Sequence, residues 1–171
     1  MSSYLFGKKE DNSSVKEAVV EWLMQRADAL LVHNLEPAVG SIVYCRLALA
    51  VEHSGIYVGH NRIVHLNGSG RIELVSPRVF CGRLNGKNPA SIIFCPIAED
   101  GKLLGNKKVA ERALNKVGRY TNYNVFMNNC HKFTATCVTG KNEVCNSFKC
   151  LEKLIEAQYG EYRWRASSLN N

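Results

Sequence analysis

The stretch Glu52-His53-Ser54-Gly55-Ile56-Tyr57-Val58-Gly59-His60-Asn61-Arg62-Ile63-Val64-His65-Leu66 decides the fold. Apolar and polar residues alternate on both sides of a Gly-His-Asn turn signal, the pattern of a β-hairpin with one face on a core. A loop of Gly59, His60 and Asn61 makes Ile56 face Val64 and Ser54 face Leu66. Ile56, Val58, Val64 and Leu66 then share the core face. His53, Gly55, Tyr57 and His65 share the other, with the two histidines diagonal neighbours about 7 Å apart at Cβ. A loop of two or four residues would split the apolar set, so the hydrophobic pattern itself groups the imidazoles. Such a pair alone reads as readily as two satisfied, partly buried side chains as it does as chemistry. No third carboxylate or cysteine sits nearby at ligand spacing, so no metal site is expected. His33 and His60 read as solvated.

Outward from the hairpin, Ser14-Val15-Lys16-Glu17 has the spacing of a capping box, and Val15, Val19, Leu23 and Ala27 behind it predict a helix over 15–32. Pro37 and Gly40 open a β-rich middle, with strands expected at 41–49, 53–59, 62–67, 70–75 and 91–97 and breaks at Gly59-His60-Asn61, Gly68-Ser69-Gly70, Pro77 and Gly86 to Pro89. From Asn106 the period becomes helical, stopping at Gly118. Further helices are expected at 130–139 and 146–158. The fold class is α+β, a small antiparallel sheet packed against helices. The domain reading is an N-terminal helical extension over 1–36, a core domain over 37–140, and a C-terminal helix and tail over 141–171. The tail, with Tyr162, Arg163, Trp164 and Arg165, reads as an exposed end rather than a lipid-interface segment.

With 171 residues, 46% hydrophobic and 22% charged, the chain is globular rather than disordered, fibrous or membrane-spanning. No stretch has signal-peptide or transmembrane character, so a cytoplasmic protein is expected, in peripheral contact with membranes at most. The net charge of +7 suits an anionic lipid surface. Basic and aromatic residues are not interleaved, so no nucleic acid is expected as a partner. Seven cysteines in a chain without an export signal are expected to stay reduced, and the absence of CxxC argues against structural zinc.

Among the thiols Cys130 stands apart. Asn128-Asn129-Cys130-His131-Lys132-Phe133 puts a capping Asn before it, hence the thiol in the first turn of a helix. Unpartnered amides there, and an adjacent imidazolium, favour a thiolate, and the Cys130 backbone N–H is also suited to stabilise an oxyanion. Cys45, Cys95, Cys137 and Cys150 read as small buried hydrophobes; Cys81 and Cys145 are ambiguous. Cys130, His53 and His65 are together the parts of a nucleophile, a base and an orienter. Tyr57, Asn129 and His131 are candidates for the cleft around them.

These motifs resemble the lecithin:retinol acyltransferase family, which includes the HRAS-like suppressor phospholipase/acyltransferases. The matches are Val39-Gly40-Ser41-Ile42-Val43, His53-Ser54-Gly55-Ile56-Tyr57-Val58-Gly59, Ile63-Val64-His65-Leu66 and Asn129-Cys130-His131-Lys132-Phe133. The resemblance implies a circularly permuted papain-like core of the NlpC superfamily, with no cofactor. It also implies a lipid or other acyl-bearing substrate, attacked by Cys130 in a phospholipase A or acyltransferase reaction. His131-Lys132 stands where the animal enzymes have Glu-His, and Ser54 where many members carry an aromatic residue. Two alternatives stay open: a thiol peptidase or amidase of the NlpC type, and a binding module that keeps the fold without catalysis.

Overall fold

The computed structural model describes Val20, Leu23 and residues 35–47, 51–82, 92–124 and 129–170. The helix expected over 15–32 lies outside these apart from Val20 and Leu23, both helical and exposed. Strands β1 (Ile42–Arg46), β2 (Glu52–Gly59), β3 (Arg62–Leu66), β4 (Ile72–Val75), β5 (Ile93–Ala98) and β6 (Tyr162–Ala166) form one antiparallel sheet in the order β4-β3-β2-β1-β5-β6. The helices are α1 (Pro77–Cys81), α2 (Lys107–Leu114), α3 (Cys130–Thr139) and α4 (Phe148–Tyr159). The architecture is α+β.

Both sheet faces are apolar. One carries Ile42, Ile56, Val64, Leu66 and Ile72 against Val109, Ala113, Phe133, Val138, Leu151 and Ile155 of α2, α3 and α4. The other carries Val43, Cys45, Tyr57 and Ile63 against Phe80 of α1 and Leu169. Burial of this kind contributes about 25 cal/mol per Å² of apolar surface, and a sheet covered on both sides is held from both.

The hairpin pairs Ile56 with Val64. Its connection is tighter than the expected three-residue loop: His60 and Asn61, at φ 51° and 55°, form a two-residue turn of the primed type. A register shift between Tyr57 and Gly59 takes up the extra residue. The bulge is why a two-residue turn leaves the apolar set whole.

Three expectations are corrected. Pro77, read as a break, opens a short helix: Ser76 caps it by accepting from the Val79 N–H, and proline fits the first turn, where no intrahelical N–H bond is needed. The C-terminal segment is not an exposed end. Tyr162–Ala166 pairs along β5, and Trp164 meets Tyr44 edge-on at 4.6 Å and stacks on Phe148 at 5.7 Å. Finally, Cys145 and Cys150 are joined in a disulfide around the start of α4, so the thiols are not all reduced, and Cys150 is not a plain buried hydrophobe.

Candidate active site

β2 and β3 bring His53 and His65 together: His53 Nε2 lies 2.7 Å from His65 Nδ1, with the rings edge-on at 4.9 Å. Phe80 packs against both, at 4.8 Å from the His53 ring and 5.5 Å from that of His65. Gly55 makes room for it, since a Cβ there would stand 3.1 Å from the Phe80 ring and 2.9 Å from the Val64 carbonyl oxygen. On the far side of His65, its β4 partner Glu73 places a carboxylate oxygen 3.9 Å from Nε2, ion-pair range rather than hydrogen-bond range. An ionised carboxylate favours a proton on His65 Nε2. His65 Nδ1 then accepts from His53 Nε2, and His53 Nδ1 is left with its lone pair. Phe80 and Glu73 both escaped the sequence reading. Glu73 could have been found by continuing the hairpin pairing across Gly68-Ser69-Gly70.

Cys130 is the first residue of α3, packed on the opposite face of the sheet. Asn129 caps the helix, its Oδ1 accepting from the N–H of His131 at 3.0 Å and of Lys132 at 3.2 Å. The Cys130 sulfur accepts hydrogen bonds from the Ser54 backbone and hydroxyl and from the amides of Cys130 and His131, all of which favour thiolate. Burial outweighs them and pushes the thiol above its ordinary range. The expected thiolate is therefore corrected: with Cys130 only 5% exposed, desolvation keeps the proton on sulfur. Cys95 and Cys137, without such bonds, are pushed by burial to about 12.

His131 is corrected too. It is buried, its Nδ1 lies 2.9 Å from Ser54 Oγ, and burial drops its pKa to about 4, so it is a neutral imidazole rather than an imidazolium. Ser54 Oγ is also 3.1 Å from Thr134 Oγ1. Ser54 has one proton to give, so donating it to sulfur requires His131 to donate from Nδ1. Tyr57 lies in the core on the histidine face, its hydroxyl donated to the Glu36 carboxylate, and burial with that bond raises its pKa to about 12. Asn129 is a cap, its Nδ2 donating to the Asn146 carbonyl at 2.6 Å. His53 and Ser54 are consecutive residues of β2 that face opposite sides of the sheet, His53 toward His65 of β3 and Ser54 toward the Cys130 sulfur, so the structure does not bring sulfur and imidazole into contact.

Beside His53 opens a cavity of about 320 Å³ lined by Leu47, His53, Asn67, Gly68, Ser69 and Tyr123; the Cys130 sulfur is not part of its lining. Burial raises the pKa of the Tyr123 phenol, which also lies within electrostatic reach of Cys130. The family model for lecithin retinol acyltransferase matches residues 35–143, well over half of the chain. The chain belongs to the lecithin retinol acyltransferase family. No curated protein and no solved structure matches it. The matched span holds both histidines, Ser54, Tyr123 and Cys130. Members of this family are generally acyltransferases acting on lipids. Among the described residues no His, Cys, Asp or Glu cluster could hold a metal ion, and no helix is long and apolar enough to cross a membrane.

The neutral His131 gives a pH prediction. Its pKa is about 4 in the folded chain, against about 6.5 for a free imidazole. Between those values the unfolded chain binds more protons, so stability falls as pH drops from 6.5 toward 4 and is unaffected by this residue above that window. Between pH 7 and pH 5 the loss is about 2 kcal/mol. His131→Gln removes that increment, measurable as a smaller drop in the urea midpoint over the same range. An equal drop in both proteins would show that His131 titrates normally.

Proposed function

We propose that this chain transfers acyl groups from lipid esters through a thioester on Cys130, as a phospholipase A or an acyltransferase. The carrying observation is a helix-start cysteine bound to the strand position next to a hydrogen-bonded histidine pair, in a chain of this family. His53 Nδ1 takes the thiol proton as sulfur attacks the ester carbonyl; the S–C bond forms and the Cys130 N–H faces the oxyanion. Collapse breaks the ester C–O bond, and the alkoxide leaves with the proton from His53. Water, an alcohol or an amine then attacks the thioester, returns a proton through His53 and frees the thiol. His65, held by Glu73, keeps His53 in the productive tautomer. Because burial disfavours a resting thiolate, proton transfer accompanies attack instead of preceding it. To meet His53, the sulfur leaves Ser54 for the cavity beside Tyr123.

One observation favours a second reading, a binding module without catalysis: the hydrogen bonds of the sulfur go to Ser54 and to amides, with no imidazole among them. Exposure to phosphatidylcholine vesicles and a mixed lipid extract, followed by mass spectrometry, separates the two. An acyl adduct on Cys130, absent from Cys130→Ala, is the expected result. A chain that stays unmodified and releases no fatty acid is a binding module. Turnover of peptide amides alone would make it an amidase.

A further inference from the structure

A second cavity, also of about 320 Å³, opens on the helix face of the sheet beside α3. Its walls carry Lys116, Arg119 and Lys132, and its apolar floor is Leu66, Ile72 and Phe133. Among the described lining residues there is no carboxylate, and among the described residues none of the three cations is ion-paired. Three like charges around one concavity repel one another, a cost that an anion would relieve. The backbone that carries Arg119 is held in place. Ile72 N–H donates to the Arg119 carbonyl at 3.0 Å, Gly118 N–H to Ile72 at 2.9 Å and Thr121 N–H to Gly70 at 2.8 Å, so residues 118–121 run as a strap along the start of β4. Lys132 stands two positions beyond Cys130 in the first turn of α3.

We infer that this pocket binds a phosphate ester, carried by the headgroup of a phospholipid. The cations supply charge-assisted bonds to phosphate oxygens, while the floor of Leu66, Ile72 and Phe133 accepts hydrocarbon, which an inorganic anion would leave bare. At the rim, Tyr120 is 71% exposed with the Arg71 guanidinium 5.8 Å from its ring, an amphipathic pairing suited to a headgroup layer. The strap joins this pocket to the His53 cavity: Thr121 lines one and Tyr123 the other. A phosphate held on one side of the strap therefore anchors a lipid whose ester lies toward the other. The inference goes beyond the acyl-transfer reading and rests on it only for the use to which the bound lipid is put.

The test uses the full chain, with vesicles of phosphatidylglycerol in phosphatidylcholine, glycerol 3-phosphate as the chain-free probe, and a single-stranded oligonucleotide as competitor. Each lost cation is expected to weaken vesicle binding about tenfold, so that Lys116→Gln with Arg119→Gln weakens it about a hundredfold. Arg119→Lys keeps most of the affinity, and added salt weakens the wild type more than the double variant. Glycerol 3-phosphate is expected to shift the amide resonances of residues 116–121 and 132. If it does so while vesicles do not bind, the phosphate site stands and its ligand is a soluble ester. Unchanged vesicle binding in the double variant and in Lys132→Gln overturns the inference, as does preference for the oligonucleotide at these residues. The Cys130 adduct is read separately. Adduct formation with undiminished binding by the variants sinks only the pocket, and charge-dependent binding with no adduct sinks only the chemistry.

Discussion

His53→Ala is expected to lower the rate of acyl-adduct formation on Cys130 by about a hundredfold to ten-thousandfold, the range of a positioned general base. The thiol is held above its ordinary pKa by burial, and its bonds to Ser54 and the amides of residues 130 and 131 do not overcome that. Without an acceptor for its proton the sulfur is a weak nucleophile at neutral pH. His53→Ala should therefore recover part of its rate as pH rises, because hydroxide can then ionise the thiol directly, whereas the wild type is already served by its imidazole. Glu73→Gln makes a graded companion. It removes the charge 3.9 Å from His65 Nε2 and loosens the tautomer choice, so a loss of about tenfold in rate with unchanged lipid binding is expected. Its cause would show in the imidazole nitrogen shifts of His65, which a merely structural role would leave in place. Equal adduct rates in His53→Ala and the wild type would remove the base from the mechanism and leave the binding-module reading.

Gly70→Ala is expected to cost about 2–4 kcal/mol of stability and to abolish adduct formation even where the chain remains folded. Gly70 has φ +85°, a left-handed conformation disfavoured for alanine, and a Cβ there would stand 2.1 Å from the Thr121 carbonyl oxygen. Backbone cannot yield as a side-chain tip can, so the strap must lift from β4. It then gives up the bond from Thr121 N–H to Gly70 and strains that from Ile72 N–H to Arg119, each worth about 1 kcal/mol. Lifting it moves Tyr123 away from the His53 cavity and Thr121 away from the basic pocket. Gly68→Ala, two residues earlier, meets nothing within 4 Å and is expected to change stability by less than about 0.5 kcal/mol. A wild-type urea midpoint for Gly70→Ala would mean that the strap is not seated as described.

Local pattern reached far into this fold. Alternation along Glu52–Gly59 and Arg62–Leu66 set the Ile56–Val64 pairing even though the turn proved shorter, because a bulge restores the register that the core demands. The helix start at Cys130 was legible because capping is local: Asn129 satisfies the amides two and three positions on, those of His131 and Lys132, whatever the rest of the chain does. Pro77 shows a local signal misread, since a capping serine before a proline opens a helix as readily as it breaks a strand. β6 was missed because Tyr162–Ala166 is a strand by virtue of the β5 edge it covers; five residues carry too little pattern to announce that.

The amino-acid sequence by itself determined the α+β class, the hairpin, the family resemblance and the candidate histidines and cysteine, all of which rest on spacing along the chain. Only the tertiary structure decided the protonation of the site, the parking of the Cys130 sulfur on Ser54, and the gathering of Lys116, Arg119 and Lys132 around one cavity. The reason is desolvation: the same cysteine and histidine would titrate normally in an exposed first turn, and it is the sheet closing over α3 that withdraws them from water.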